Sequence, residues 1–171
     1  MIRAHMAILG VALLVCATPA GAGQIQAAGG GRWSDRALQL SLSYPAGWST
    51  VPEHGAALKL RAVDGKAEFE IFRVTRSASP AGQAMQATGA LARLHCQVSV
   101  QQSSRTVGQL GVRGSVATGL CTGADRGWRL TITAFTHAGS GVLLRGWLYH
   151  AQPHDGAELA TISASLSPLS A

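Results

Sequence analysis

Apolar and polar residues alternate with a period of two over several segments in the first half of the chain, which predicts β-strands. Over residues 37–44 every second position is leucine or tyrosine, the pattern of a strand with one buried face. A proline and a glycine at residues 45–47 end this strand, and residues 57–63 alternate in the same way. Asp64-Gly65 then predicts a hairpin turn into a strand over residues 67–75. We expect these strands to form an antiparallel meander.

The clearest hairpin in the sequence spans residues 127–150. Two runs rich in β-branched, aromatic and leucine residues flank a loop of small residues at positions 138–141. With a symmetric loop, the expected cross-strand pairs are Ile132 with Trp147, Leu130 with Tyr149, and Phe135 with Leu144. Large apolar residues then occupy both faces of the ribbon, which predicts a central hairpin that is covered on both sides.

Two segments carry helical signals instead. Ser79-Pro80 combines a capping residue with proline at the first helical position, and apolar residues at helical spacing follow it. We predict a helix over residues 80–94 that packs on the sheet. Pro153 breaks the last strand, and Asp155 can cap a second helix over residues 156–163. The second helix is expected to cover the same sheet face as the first or the opposite one.

The length and composition of the chain indicate a single domain. The chain has 171 residues, of which 47% are hydrophobic. This is enough for one full core and too short for two ordinary domains. The predicted class is therefore α+β, a single domain over residues 34–171 in which helices pack on the faces of an antiparallel sheet.

The N-terminal segment has the composition of a secretory signal. A short basic start is followed by an unbroken apolar run over residues 6–16 and by small residues up to Ala22. Alanines at positions 20 and 22 fit the cleavage rule, which predicts removal of residues 1–22. A membrane anchor is the alternative, but the run is shorter than the ~20 residues that span a bilayer. We therefore expect an exported protein, periplasmic or secreted, with no stable membrane span after cleavage.

A lipoprotein is a further alternative, because Cys16 follows a Leu-Leu-Val sequence. The residue before a lipidated cysteine is normally small and Val15 is not, which disfavours this alternative. Residues 23–33 are rich in glycine and alanine and predict a flexible tether between the signal and the domain.

The charge balance is basic but dispersed. The formal net charge is +6, from 14 lysines and arginines against 8 aspartates and glutamates. The basic residues nowhere form a run of neighbours, so the sequence does not indicate a nucleic-acid surface. We expect no nucleic-acid partner.

Removal of the signal leaves two cysteines, Cys96 and Cys121, and an exported compartment permits a disulfide between them. If the intervening residues form a hairpin centred between Gly108 and Gln109, the two cysteines lie opposite each other at its open end. A bridge there would stabilise the fold by ~3 kcal/mol. The alternative, a redox-active or metal-binding pair, lacks the Cys-x-x-Cys spacing.

Residue types used in catalysis are present, but not in a catalytic arrangement. No nucleophile elbow, phosphate-binding loop or zinc-protease motif occurs in the sequence. Glu68 and Glu70 share one strand face, where we expect a solvated edge rather than an acid–base pair. No catalytic residue and no cofactor is therefore predicted.

The best candidates for a metal site are His150, His154 and Asp155. Two imidazoles and a carboxylate at this spacing converge only if the segment is helical, and Pro153 argues against a helix there. We interpret the segment as an exposed polar loop without a metal. The tryptophans are expected to anchor a core or an interface, with a ligand pocket as the alternative; they are Trp33, Trp48, Trp128 and Trp147.

Several short strings, in this order of elements, resemble the PsbP-like and DcrB-like families of exported or lumenal proteins. The most specific is Tyr44-Pro-Ala-Gly-Trp48 after an alternating strand; Asp64-Gly65 leading to Phe69-Glu-Ile71 and the ending over residues 162–168 are the others. The resemblance spans residues 36–168. It implies an α/β/α sandwich, an antiparallel sheet with helices on both faces, and accessory or docking modules without a shared catalytic set.

A well-formed exported fold without a catalytic set predicts a non-enzymatic accessory or protein-binding module of the cell envelope. The expected partner is another envelope protein. The alternative is a periplasmic carrier of a small apolar ligand or lipid, indicated by the tryptophans and by the glycines in the strands.

Overall fold

The computed structural model describes residues 30–74, 79–92, 96–121, 127–150 and 152–170. The predicted signal, residues 1–22, lies outside the described residues, as does most of the predicted tether. A strand that begins at Gly31 includes the last residues of that tether, because Trp33 packs against the core.

The described part of the chain contains two helices, α1 (Pro80–Ala92) and α2 (Pro153–Ala164). The strands are β1 (Gly31–Asp35), β2 (Leu40–Tyr44), β3 (Trp48–Thr50), β4 (Ala56–Ala62), β5 (Ala67–Val74), β6 (Cys96–Thr106), β7 (Arg113–Cys121), β8 (Trp128–His137), β9 (Ser140–Tyr149) and β10 (Ser167–Pro168).

The strands form two antiparallel sheets rather than one. Seven strands lie in the order β3-β4-β5-β9-β8-β7-β6, and three lie in the order β1-β2-β10. The predicted meander is therefore wrong for β2, which pairs with β1 and β10, while β3, β4 and β5 do form a meander. The turn after Tyr44, with Gly47 at φ +85°, carries the chain from the small sheet into the large one. The predicted buried face of β2 is confirmed by Leu40, Leu42 and Tyr44.

The register of the central hairpin differs from the symmetric prediction by two residues. His137 pairs with Ser140, so the turn contains only Ala138 and Gly139, which have φ values of +44° and +77°. Positive φ at both positions is the geometry of the tightest hairpin turns. The observed cross-strand pairs are Leu130 with Trp147, Ile132 with Arg145, and Phe135 with Val142. Because a shift of two preserves the alternation, each side chain keeps its predicted face.

Helices cover the large sheet on both faces, as predicted. Helix α2 and the small sheet pack on one face, which we call the α2 face, around a core that includes Phe69 and Ile162. Helix α1 packs on the other, the α1 face, over β6, β7, β8 and part of β9. A second core cluster lies there and includes Ile132 and Trp147, and Trp147 is 5% exposed. The α+β single-domain class is confirmed.

The helix starts follow local capping chemistry. The Ser79 hydroxyl accepts a hydrogen bond from Gly82 N at 3.2 Å, as the Ser79-Pro80 pattern predicts. Helix α2 begins at Pro153, three residues before the predicted start. Proline is favoured in the first turn of a helix, and Asp155 caps α2 from within that turn. The Asp155 carboxylate accepts from Gln152 N at 2.6 Å and closes a capping box.

The β6–β7 hairpin brings the two cysteine positions together by a different route from the predicted one. Cys96 pairs with Cys121, but Thr106 pairs with Arg113, so the turn is centred one residue beyond the predicted point. An irregularity between residues 99 and 103 of β6 restores the predicted register at the open end. The cysteine side chains lie outside the described part of the structure, so the disulfide stays a prediction.

Candidate functional site

A row of ionisable side chains lies on the α1 face beside the area that α1 covers. On β4, β5 and β9 the residues Lys59, Glu70 and Arg145 are direct cross-strand neighbours, and their charges alternate. In the next row Arg61 stands opposite Glu68. Opposite charges on adjacent strands are the favourable arrangement on a sheet face.

These side chains and one tyrosine form a connected set of ion pairs and hydrogen bonds, which we call the charged network. Its members are Lys59, Arg61, Glu68, Glu70, Arg145 and Tyr149.

Glu68 is the most highly connected member of the charged network. Its carboxylate accepts hydrogen bonds from Arg61 Nε at 2.6 Å and from the Tyr149 hydroxyl at 3.0 Å, and Lys59 Nζ lies 3.1 Å away. Glu70 pairs with Arg145 Nε and lies 3.4 Å from Lys59 Nζ. Lys59 therefore bridges the two carboxylates and is held between them.

Burial distinguishes the carboxylates from the cations. Glu68 is 6% exposed and Glu70 is 1% exposed, so the predicted solvated edge is wrong. The Arg61 side chain is 46% exposed and that of Arg145 is 28% exposed. Glu68 and Glu70 thus lie beneath the guanidinium groups. A third carboxylate, Glu53, joins the network 3.1 Å from Lys59 Nζ and is 39% exposed, so the network presents both the Arg61 cation and the Glu53 anion to solvent.

The hydrogen bonds in the charged network fix the ionisation of its members. Burial acts to raise the pKa of the Glu68 carboxyl, but the hydrogen bonds from Arg61, Lys59 and Tyr149 outweigh it, so this pKa lies below its ordinary value. Burial acts to lower the pKa of Lys59, but its hydrogen bonds to the carboxylates raise it above the ordinary value. Burial and the Glu68 charge raise the pKa of Tyr149. Each of these groups keeps one protonation state around neutral pH.

Aromatic rings border the charged network along β8 and β9. The Trp128 ring meets the Tyr149 ring edge to face at 4.6 Å between centroids, and Trp147 stacks on Tyr149 at 5.9 Å. The Arg145 guanidinium lies 4.8 Å from the centroid of Phe72 and 5.8 Å from that of Trp147. The guanidinium is therefore fixed by a carboxylate and by two rings.

The α2 face contains a cavity between α2 and the sheet. Its volume is about 430 Å³, it is partly open to solvent, and its walls include Phe69, Leu144 and Leu159. A shallower hollow beside the start of α2 shares Leu148 and Gly156 with it. We call the cavity and this hollow together the α2 groove.

The candidate metal residues do not converge on one point. His154 Nε2 lies 3.0 Å from Asp155 Oδ1 in the first turn of α2. The Asp155 carboxylate already accepts the capping hydrogen bond from Gln152 N. His150 lies in the hollow of the α2 groove. Among the residues that the structure describes, no three His, Cys, Asp or Glu side chains are placed to hold a metal ion.

The tryptophans have different roles. Trp48 is 5% exposed, and its indole nitrogen donates to Glu158 Oε2 at 2.7 Å, which ties β3 to α2. Trp33 packs against the core of the α2 face. Trp147 is buried in the second core cluster, and Trp128 packs against that cluster half-buried beside the charged network, so of this pair only Trp128 can contribute to a candidate surface.

Sequence reasoning missed most of the charged network. The alternation around Glu68 and Glu70 indicated a shared face, but the cations that pair with them come from β4 and from β9. The pairing of β5 with β9 brings together residues about 75 positions apart, such as Glu70 and Arg145. No local pattern in the sequence specifies that pairing.

Comparison with known proteins supports the fold. No protein-family model matches the sequence, and no curated protein sequence matches it. The solution structure of cyanobacterial PsbP (CyanoP) from Synechocystis sp. PCC 6803 is similar over 88% of this chain and 99% of that chain, with a TM-score of 0.62 and 14% identity. A crystal structure from Bacteroides thetaiotaomicron VPI-5482 is similar over 82% of this chain and 48% of that chain, with a TM-score of 0.54 and 13% identity. The chain therefore has a PsbP-like fold, as the resemblance predicted.

Proposed function

We propose that this chain is an exported, non-enzymatic accessory module that binds another protein of the cell envelope through the charged network and its aromatic neighbours. Export is supported by the signal pattern of residues 1–22. No helix in the described ranges is long and apolar enough to cross a membrane.

The observation that carries the proposal is the combination of arginine, tryptophan and tyrosine on one preorganised surface. These three residue types dominate the binding energy of protein interfaces. Buried carboxylates hold the guanidinium groups in place before any partner arrives, so less conformational entropy is lost on binding. Among the described residues, Val63 is the most exposed large apolar side chain, at 89%, and it lies in the turn that follows β4, two positions after Arg61.

The ionisation of the charged network supports binding rather than catalysis. A general acid or base works best with a pKa near the operating pH. The pKa of Glu68 is lowered, and those of Lys59 and Tyr149 are raised, so each shift moves the group further from neutrality. These three groups therefore keep their protonation states around neutral pH, which suits binding.

The chemistry of the surface defines the partner. Because Glu68 and Glu70 are buried and Arg61 is exposed, the part of the surface around Arg61 complements an acidic segment, and Val63 in the turn after β4 adds an apolar contact. We propose a partner segment that carries acidic residues next to an apolar side chain.

Crosslinking and pull-down from the native envelope test this function. We expect the wild-type protein to capture a partner at native abundance, and the Arg61→Glu and Val63→Asp variants to lose capture by about tenfold or more. Arg73→Glu is the matched control, since Arg73 is an exposed residue of β5 that alternation places on the other side of the sheet. Capture of no partner by the wild-type protein, or equal losses in the control, would contradict the proposal.

A second candidate function, a periplasmic carrier of a small apolar ligand, is favoured by the α2 groove. The cavity volume of about 430 Å³ falls within the ~300–1,000 Å³ that is typical of ligand pockets. The two candidate surfaces lie on opposite faces of the sheet, so one protein can carry both. Native mass spectrometry of the exported protein tests the carrier function, because a carrier is expected to retain a co-purified ligand.

A further inference from the structure

Small residues create the cavity of the α2 groove where α2 crosses the sheet. Gly146 in the centre of β9 lies under α2, and a Cβ atom at this position would come no closer than 3.6 Å to Leu159. A Cβ atom at Gly156 would lie 3.8 Å from Leu148. A methyl group would therefore fit at either position in ordinary van der Waals contact with a leucine side chain. Glycine at these positions is not required by close contact between α2 and the sheet.

The wall of the cavity combines apolar side chains with polar ones, among them Thr106, Thr131 and Ser163. Phe69, Leu144 and Leu148 rise from the sheet, and Leu159 faces them from α2. The stretch of α2 that lines the cavity, from Gly156 to residue 164, is about 12 Å long at ~1.5 Å per residue. This shape suits an extended hydrocarbon chain.

The ionisable residues of the groove are all basic. Arg105 lines the cavity near the end of α2, and Arg129 and His150 line the hollow near its start. No acidic side chain is among the described lining residues. Arg105 and Arg129 are exposed, and neither forms an ion pair with any residue that the structure describes.

This charge pattern contrasts with the pattern on the opposite face. In the charged network each cation is held by a carboxylate within 4 Å, whereas Arg105 and Arg129 of the groove have no acidic partner among the residues that the structure describes. Unpaired arginines recognise carboxylate and phosphate groups through two parallel hydrogen bonds.

We propose that the α2 groove binds a single-chain anionic amphiphile, with its alkyl chain in the cavity between Gly146 and α2 and its acidic head group on Arg129. This inference rests on the second candidate function, the carrier, and specifies its ligand class. The cavity volume of about 430 Å³ is sufficient for one alkyl chain. We place the head group at Arg129 because Arg129, His150 and Gln152 lie together in the hollow at the start of α2.

Titration calorimetry with dodecanoate, decanoate and 1-dodecanol below their aggregation concentrations tests the proposal on protein purified after export. Each buried methylene contributes about fourfold in affinity, so decanoate, with two fewer, is expected to bind roughly fifteenfold more weakly than dodecanoate. The Arg129→Gln variant is expected to bind dodecanoate about tenfold more weakly and to bind 1-dodecanol unchanged. Arg36→Gln, an exposed arginine in a turn of the small sheet, is the charge control and should behave as the wild type.

Two further variants locate the ligand. Ala160→Trp places a large ring over the cavity from an exposed position on α2, so the fold is expected to persist while binding of both probes is lost. Unchanged binding by a folded Ala160→Trp protein would overturn the location. Arg105→Gln should reduce dodecanoate binding less than Arg129→Gln does, and a larger loss would overturn the orientation.

The remaining outcomes distinguish a failure of this inference from a failure of the proposed carrier function. Equal binding of dodecanoate and 1-dodecanol would overturn the anionic head group and leave the carrier function standing. Failure of both probes to bind would overturn the two together. Binding to phosphatidylglycerol vesicles without binding to monomeric dodecanoate would overturn the inference in favour of a membrane surface.

Discussion

The two faces of the seven-stranded sheet bury their residues by different means. The α2 face is closed by a helix and a second sheet, and its core consists of leucine, isoleucine and aromatic side chains. On the α1 face a helix covers one part, and beside it Glu68 and Glu70 are buried under basic side chains. Apolar burial stabilises the first face, whereas the charged part of the second depends on complete pairing.

We therefore assign stability mainly to the α2 face and the proposed partner binding to the charged part of the α1 face. Replacing a buried ion pair by apolar residues is often neutral or stabilising, so a pair such as Glu70 with Arg145 is weak evidence for a role in stability. Its geometric effect is larger, because it fixes a guanidinium between two rings at the surface. The apolar α2 face therefore stabilises the fold, and the charged part of the α1 face is the surface proposed to bind a partner.

The largest expected effect is on the apolar face. Phe69 is 1% exposed in the main core, and Phe69→Ala should lower the free energy of unfolding by about 3–5 kcal/mol because it leaves a cavity. Denaturant unfolding of this variant measures the loss. Val63→Ala is the control, and at an exposed position it should change stability by less than about 0.5 kcal/mol.

The charged face should respond to single and double replacements in opposite ways. Glu70→Leu leaves Arg145 without its carboxylate and should lower the free energy of unfolding by about 3 kcal/mol or more. Adding Arg145→Leu should restore at least half of the loss, because Phe72 and Trp147 already surround that position with apolar surface. A double variant that is less stable than the single one would contradict this and show that Arg145 stabilises the fold through its ring contacts, independently of Glu70. Denaturant unfolding of both variants decides this.

The predicted Cys96–Cys121 bridge would join β6 to β7 at the edge of the seven-stranded sheet. If the bridge forms in the exported protein, its reduction should lower the free energy of unfolding by ~3 kcal/mol. The register places the two backbones directly opposite, which a bridge requires. Alkylation of the native protein followed by mass measurement is the check, and two modified cysteines would exclude the bond.

The features that could be predicted from the sequence are those with local signals. The alternation in β2 identified its buried leucines, and Ser79-Pro80 identified the start of α1. The faces of the central hairpin were correct even though the register was shifted, since a shift of two leaves the alternation intact. Local periodicity thus fixes which side a residue faces, but not its partner.

The features that could not be predicted depend on strand pairing across the chain. The Glu68–Glu70 alternation resembles a solvated edge until β9 is placed beside β5 and supplies Arg145. The α2 groove depends on what α2 fails to fill above Gly146, which is a property of tertiary packing. Both candidate surfaces therefore become visible only in three dimensions.

The two faces should also differ in their response to pH. The folded-state pKa of Glu68 is lowered, so its contribution to stability is present above its ordinary pKa of 4.5 and is lost as pH falls further. The folded-state pKa of Lys59 is raised, so its contribution is present below 10.5 and is lost as pH rises through the folded value. Stability should be highest between these limits. Denaturant midpoints across pH measure this, and Glu68→Gln should flatten the acid limb, whereas Phe69→Ala should keep it.

The smallest expected effect is at the turn that joins the strands shared by both faces. Ala138 has a φ of +44°, a conformation that costs an alanine about 1 kcal/mol and that asparagine adopts more readily. Ala138→Asn should therefore raise the free energy of unfolding by about 0.5 kcal/mol. Denaturant unfolding of this variant measures the gain.

The same substitution can be combined with changes on each face to sharpen the comparison. Ala138 is exposed at the tip of the hairpin, apart from Phe69 and from Glu70, so its gain should add independently to the loss at either position. Gains that agree within about 0.5 kcal/mol in both backgrounds would show that the turn acts locally. A gain that disappears only in the Glu70→Leu background would show instead that the charged network, rather than the turn, sets the register of β8 against β9.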